Sequence, residues 1–383
     1  MKILVFSPYY LPHIGGLESH ADEFNKYLSE KGIDIVVFTP RLPKESPENE
    51  IKYGQVSIIR FPAFEIIPNY PLPKFWSLKF WKLFFDLFKG KNDIVISRTR
   101  FFSTSLLALI YSKIKKVRWI HIEHGSDFVS LSSKFKTAVA KIYDQTFGRL
   151  ILKSSDLNIS ISKSVQEFVN KFDKRESPVI YRGLDMEEID SMESDMETKN
   201  KYAGKTIISF AGRLYKWKGV ENSIEAIKSL PEDLKNKIIF LIIGDGEDFS
   251  RLKELSKNET SIAMLGNLSR EKAIAILKIS DIYLHSAYPG GGLSTSLLEA
   301  MYCGCAVIAT PNEGADEIIE NNINGILLKD KNIKSNLLKL ISDENFRTLI
   351  SENGKVSIKN KFNWDSSIES YGKIFYKLTS KRS

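Results

Sequence analysis

HSAYPGGGLSTSLLEAMYCGCAVIAT, residues 285–310, carries a glycine-rich turn that runs into a short helical stretch and then into an apolar strand. Such a turn leaves backbone N–H groups free at a helix N-terminus, where the partial positive charge of the helix holds phosphate. Glu299 falls about one helical turn inside, near enough to accept from sugar hydroxyls while the backbone of Gly290, Gly291, Gly292, Leu293 and Ser294 faces the phosphates. On these residues the stretch reads as one wall of a nucleotide-sugar site. The plainer alternative is a packing turn, because glycine-rich strand-to-helix turns also occur without a ligand.

The rest of the chain bears on that choice. Its 383 residues suffice for two α/β domains of ordinary size, each with its own core. Hydrophobic residues make up 43% and charged residues 27%, the balance of a globular chain rather than a disordered one. No apolar run is long enough to span a bilayer, and the apolar start at Ile3 is broken by Ser7 and Pro8, so a cytoplasmic protein without a signal peptide is expected. Cys303 and Cys305 are the only cysteines, which excludes a disulfide framework and a four-ligand zinc site; they read as small buried residues. The net charge of +8 points to an anionic partner, which charge alone leaves open among nucleic acid, acidic lipid and phosphorylated substrate.

Residues 2–6 read as a buried first strand. The loop SPYYLPHIGGLESH follows, with Gly15 and Gly16 ahead of a helix over about 18–31 and a second strand over 33–39. This start is Rossmann-like, yet it lacks the G-x-G-x-x-G spacing and an acidic residue ending the second strand, which disfavours a nicotinamide enzyme. Strands over 93–97 and 117–122 come next, the latter ending in HIEHGSDF. Histidine and glycine at a strand's carboxyl end are where open α/β sheets place ligand contacts, so His124 is a candidate; a turn histidine with a hydrogen-bonding role is the alternative. His121 lies in the apolar run and reads as core.

Residues 61–91, FPAFEIIPNYPLPKFWSLKFWKLFFDLFKGK, are rich in aromatics, proline and lysine. A helix over 75–89 would carry a narrow polar stripe of Lys79, Lys82, Asp86 and Lys89, with aromatics over the remainder. It is a well-buried element, or one that dips into an anionic membrane interface or meets a lipid acceptor through Trp76, Lys79, Trp81, Lys82 and Phe85, or one that meets a partner protein.

A long helix over about 134–153 precedes strands at 157–160 and 179–181. Residues 186–204 show no regular apolar face and read as a linker. A second α/β series begins at 205. Its first loop, GRLYKWKG, sets Arg213 and Lys218 five positions apart: a bidentate guanidinium and a compact ammonium, both suited to a diphosphate. Gly244 in GDGED, and Gly266, Asn267 and Leu268 in GNLS, occupy equivalent strand ends where exposed backbone can receive a base. The alternation of strands and helices in both halves predicts an α/β fold of two Rossmann-like domains facing across a cleft.

In shared order, PYYLPHIGGLESHADEFNKYLSEKGIDIVVFT, HGSDF, VIYRGLD, FAGRLYKWKGV, IIGDGED, LGNLS, LLEAMYCGCAVIATPNEGADEII and NGILL resemble the large retaining glycosyltransferase family 4, or group 1, of the GT-B fold. The resemblance spans almost the whole chain. It implies an N-terminal acceptor domain over 1–185, the linker 186–204 and a donor domain over 205–364, with a last helix near 365–380 crossing back onto the first. It also implies a hexosyltransferase that moves a sugar from a UDP- or GDP-sugar to a lipid-linked or glycan acceptor, with retention and with neither metal nor cofactor. Arg213 and Lys218 would hold the diphosphate, Glu299 the ribose, Gly16 would sit beside the phosphates, and His124 would approach the transferred sugar. A front-face displacement, in which the leaving phosphate takes the acceptor's proton, fits the lack of an evident side-chain nucleophile.

One departure stands out. The family's two glutamates are separated by seven residues, and counting back from Glu299 gives Gly291. That position motivates a rival reading, a weakly active nucleotide-sugar-binding subunit. A nucleotide-sugar 2-epimerase of similar architecture is another, opposed by LLEAM and GRLYKWKG. Nucleic-acid binding is disfavoured, because the lysines are spread and no stacking motif joins them.

Overall fold

Short runs of branched and aromatic residues form the strands, and the turns between them fall at glycine, proline and serine. The computed structural model describes residues 1–13, 15–67, 70–129, 134–289, 292–312, 314–328 and 332–380. They divide into two units, Met1–Gly183 with the chain from Trp364 onward, and Leu184–Asn363.

The first unit is built on a seven-stranded sheet of order β3-β4-β2-β1-β7-β8-β9. Its strands are β1 (Lys2–Phe6), β2 (Asp34–Pro40), β3 (Asn49–Lys52), β4 (Val56–Phe61), β7 (Ile94–Arg98), β8 (Arg118–Glu123) and β9 (Leu157–Ser160). All neighbours run parallel except β3 against β4. A separate antiparallel pair, β5 (Ala63–Ile67) and β6 (Tyr70–Pro73), follows β4. Strand order reverses between β1 and β7, since β2 lies on one side of β1 and β7 on the other. Ligands of open α/β sheets bind at the carboxyl ends beside such a reversal.

The core of this unit joins Leu4, Phe6, Phe38, Phe61, Val95 and Trp119 to Phe80 and Phe84 of the helix Leu78–Asp86. That helix is shorter than the expected 75–89, and a 3₁₀ turn, Leu87–Lys89, continues it. Neither side of the expected alternative describes it fully. Phe80, Phe84 and Leu87 are buried, whereas Trp76 (71% exposed), Leu78 (88%) and Phe85 (57%) face outward with Trp81. The expected helix over 134–153 is the run Lys134–Tyr143, a π turn Asp144–Gly148, and Arg149–Ser154. It exposes Phe135, Val139, Ile142, Phe147 and Leu150, an outward apolar set spaced at helical intervals. The last helix, Trp364–Ser380, packs on Gly16–Glu30: Tyr371 meets Phe24 edge-on at 4.8 Å, and Trp364 Nε1 donates to Glu23 Oε2 at 2.7 Å.

The second unit has a six-stranded sheet of order β12-β11-β10-β13-β14-β15. Its strands, parallel in every pairing, are β10 (Thr206–Ala211), β11 (Ile238–Ile243), β12 (Ile262–Gly266), β13 (Ile282–His285), β14 (Ala306–Ala309) and β15 (Ile326–Leu327). Here the reversal lies between β10 and β13. Residues 186–204 differ from the expected linker: they hold two short helices, Met186–Ser191 and Met196–Lys201, capped by Asp185 and Asp195. Their charged side chains mask the fit. Asp190 accepts from Tyr302 Oη at 2.7 Å, Glu188 pairs with Arg270, and Asp195 N–H donates to Ala275 O, so polar contacts act beside the buried Ile189 in place of the broad apolar face that marks a docked helix.

Candidate active site

At the reversal in the second unit, the loops after β10, β11, β12 and β13 are stitched through backbone. Leu214 N–H donates to Asp245 O at 2.9 Å, Gly244 N–H to Gly266 O at 2.8 Å, and Tyr288 N–H to Trp217 O at 2.7 Å. Two of these approaches require glycine. A Cβ on Gly219 (φ +63°) would lie 2.1 Å from Ser286 O, and one on Gly244 (φ +139°) would lie 1.9 Å from Gly212 O. The GRLYKWKG loop is thereby clamped with Arg213 and Lys218 half-buried, and Lys218 Nζ sits 4.5 Å from the centroid of the Trp217 ring.

The helix Thr295–Tyr302 begins after buried Leu293 and Ser294. Tyr283 of β13 ties its first turn to β10, donating to Ala211 O at 3.1 Å with Ser296 Oγ 3.0 Å away to donate to it. Glu299, 8% exposed, accepts from Arg270 Nε at 3.2 Å, and Arg270 Nη1 reaches Glu188 Oε2 at 2.5 Å. Sequence reading missed Arg270, which follows directly on GNLS and had no pattern to mark it. Asn267 is exposed, while Gly266 and Leu268 are half-buried beside it. Gly292 is described; Gly290 and Gly291 lie outside the described residues, so the departure at Gly291 remains a sequence observation.

In the first unit, His124 follows β8 in a turn organised by Glu123. Glu123 Oε1 accepts from His124 N–H at 2.9 Å and Gly125 N–H at 2.8 Å, and Oε2 accepts from Arg100 N–H at 3.1 Å. Arg100 also pairs with Glu123 and Asp144 at 3.1 and 3.0 Å, and His121 Nε2 lies 3.2 Å from Glu123 Oε2. Burial alone would push the Glu123 carboxyl up, but Arg100, His121 and the Gly125 N–H more than offset it and hold it well below the usual range. Asp144 goes the other way, raised to about 6 by burial despite Arg100, with Glu123 adding repulsion. His124 is part-exposed, its Nε2 buried, and burial followed by Arg98 lowers it to about 3. Gly15 and Gly16 open the helix Gly16–Glu30, with Ser19 N–H donating to Gly15 O at 3.1 Å.

The structure thus gathers Arg213, Lys218, Gly244, Gly266 and Glu299 at one reversal, and Gly15, Gly16 and His124 at the carboxyl end of the other sheet. Trp76, Lys79, Trp81, Lys82 and Phe85 lie on an exposed face of the first unit, where Lys79 pairs with Glu48. Among the described residues no cluster of three or more His, Cys, Asp or Glu could hold a metal ion, and no helix is long and apolar enough to cross a membrane.

Residues 191–357 match the family model of glycosyl transferases group 1, and residues 14–188 match that of glycosyltransferase family 4. The chain is similar, at 50% identity over 99% of both lengths, to an uncharacterized glycosyltransferase of Methanocaldococcus jannaschii. It is 24% identical to the alpha-monoglucosyldiacylglycerol synthase of Acholeplasma laidlawii, over 94% of this chain and 93% of that one. Among solved structures it is similar in fold to HepE of Anabaena in complex with UDP-glucose, with a TM-score of 0.74 and 18% identity over 98% of this chain and 100% of the other.

Proposed function

The chain belongs to the glycosyltransferases with the GT-B fold, and from that premise we propose that it moves a hexose-type sugar from a UDP- or GDP-sugar to a lipid-linked or glycan acceptor with retention. The observation that carries this reading is the meeting, at the β10–β13 reversal, of the Arg213–Lys218 loop with the start of the helix bearing Glu299. Two cations and a helix N-terminus on preorganised backbone stabilise the charge that grows on a departing diphosphate. Glu299, oriented by Arg270, accepts from ribose hydroxyls. The UDP-glucose held by HepE supports a uridine donor.

The first unit takes the acceptor in this reading, with His124 toward the transferred sugar. The synthase name of the Acholeplasma relative supports a lipid acceptor. So do the exposed rings of Trp76, Trp81 and Phe85 among Lys79, Lys82 and Lys89, a composition that suits an anionic membrane interface. With Gly291 in the position of the family's first glutamate, the sugar is read by backbone or by other side chains.

Incubation of the full chain with labelled UDP- and GDP-hexoses and a lipid extract tests the reading. Transfer with an unchanged anomeric configuration, by NMR of the product, is the expected result. Neither transfer nor hydrolysis with any common donor would overturn it, and donor binding without turnover would favour the silent subunit that Gly291 motivates.

A further inference from the structure

Beneath the carboxyl ends of β1, β7 and β8 lies a charged cluster that donor binding does not use. Arg98 ends β7 and is fully buried, its guanidinium 4.8 Å from the centroid of the Phe24 ring. Nη1 lies 2.8 Å from Nδ1 of His20, while Nε and Nη2 have no hydrogen-bond partner among the described residues. Nearby carboxylates are engaged elsewhere: Glu123 with Arg100 and His121, Glu23 with Arg182 and Trp364. Burial, the larger cause, lowers even this guanidinium to about 10.

A guanidinium has donors only, so Nδ1 of His20 must accept, and His20 is neutral with its proton on Nε2. The His20 ring packs edge-to-face on His124, centroids 4.8 Å apart and planes at 87°, and Trp364 backs His20 at 5.4 Å. His124 buries an Nε2 that has no partner among the described residues. In a field set by a buried cation, a bare lone pair is favoured at that atom over an N–H, which leaves the proton on Nδ1.

We propose that Arg98 is a positioning residue for the transfer: it locks His20 as the Nε2–H tautomer and, through that ring, holds His124 as a neutral Nδ1–H donor toward a substrate hydroxyl. This rests on the assignment of His124 to the sugar. The groups facing His124 include Arg98, Arg182, His121, His20 and the carboxylate Glu123. Those facing His20 are Arg98, His124 and Arg182, and burial first and Arg98 second hold it well below the ordinary histidine range. A histidine so weakly basic does not retain a proton taken from an acceptor, so what His124 contributes is a hydrogen bond rather than general-base catalysis.

The test uses the full chain labelled with ¹⁵N-histidine, its five histidines assigned by His→Gln variants. Long-range ¹H–¹⁵N spectra of the wild type should show His20 as Nε2–H and His124 as Nδ1–H, both neutral from about pH 8 to about pH 5. In Arg98→Met the midpoint of at least one should rise by about one pH unit or more, and Arg98→Lys, which keeps the cation, should hold it down. The acid limb of the transfer rate in Arg98→Met should then begin at a pH about one unit or more above that of the wild type. A His20 carrying its proton on Nδ1, or an Arg98→Met titration superimposed on the wild type, overturns the proposal. The spectra need no substrate, so they decide the tautomers even if no donor is turned over and even if Arg98→Met does not fold. Full transfer by His124→Gln would overturn the positioning role while leaving the glycosyltransferase reading intact.

Discussion

At the strand-order reversal of the first unit the charges are buried and set against one another, whereas at that of the second the cations remain half-exposed on glycine-clamped loops. Arg100, Glu123, Asp144 and His121 form a closed network under the His124 turn, and Arg98 and His20 sit behind it. Arg213 and Lys218 instead reach the surface at a site whose carboxylate, Glu299, is set one helical turn back. The difference matches what each site receives in the proposed reaction. A neutral sugar brings no charge, so its contacts must be fixed in advance; a diphosphate brings its own charge and needs cations that solvent can reach.

If that contrast holds, removing a member of the buried network should cost folding, and removing a half-buried cation should cost turnover. The largest stability effect is expected for Glu123→Ala, which takes one of two paired carboxylates from Arg100 and leaves three loop N–H groups without their acceptor. A loss of about 3 kcal/mol or more should appear in denaturant melts of the full chain. Lys218→Ala should lower kcat/KM about a hundred- to a thousandfold while leaving the melting temperature nearly unchanged; unaltered turnover would remove Lys218 from the diphosphate site. Gly219→Ala, with its Cβ forced against Ser286 O, should cost about 1–3 kcal/mol and weaken donor binding as the loops after β10 and β13 separate.

Acid sharpens the same comparison. The folded pKa of His124 lies near 3 against 6.5 for an ordinary histidine, so the unfolded chain takes the proton first. The stability held above about pH 6.5 is therefore lost progressively as pH falls toward about 3. Hydrogen exchange should show the His124 turn of the first unit loosening across that window, and His124→Gln should remove part of the loss. The smallest effect is expected on the outer face, where Trp81→Glu should reduce binding to anionic vesicles about tenfold without changing the melt. Unfolding of that variant would instead mark Trp81 as part of the core.

Much of the fold was legible. Residues 2–6 form the strand read from their apolar run, and the parallel alternation in both halves, the HIEHGSDF turn and the GRLYKWKG loop lie where their local patterns put them. Local patterns carry that much because strand and helix periods, glycine turns and strand-end cations are properties of neighbouring residues. Two features escaped for the opposite reason. Residues 186–204 dock through Glu188, Asp190 and the Asp195 backbone beside the buried Ile189, so hydrophobic periodicity had too little to detect. The aromatic helix has as many rings outside as inside, and composition cannot say which ring faces which way.

By itself the sequence determined the element types, the glycine positions that let loops approach, and the cations and carboxylate available for a nucleotide sugar. Only the tertiary structure decided which charges would be buried together. Arg98 and His20 are 78 residues apart, and Arg270 and Glu299 are 29 apart. They meet because parallel strands bring distant segments to the same sheet edge, and burial there strengthens their pairing and, for Arg98 and His20, disfavours the charged forms.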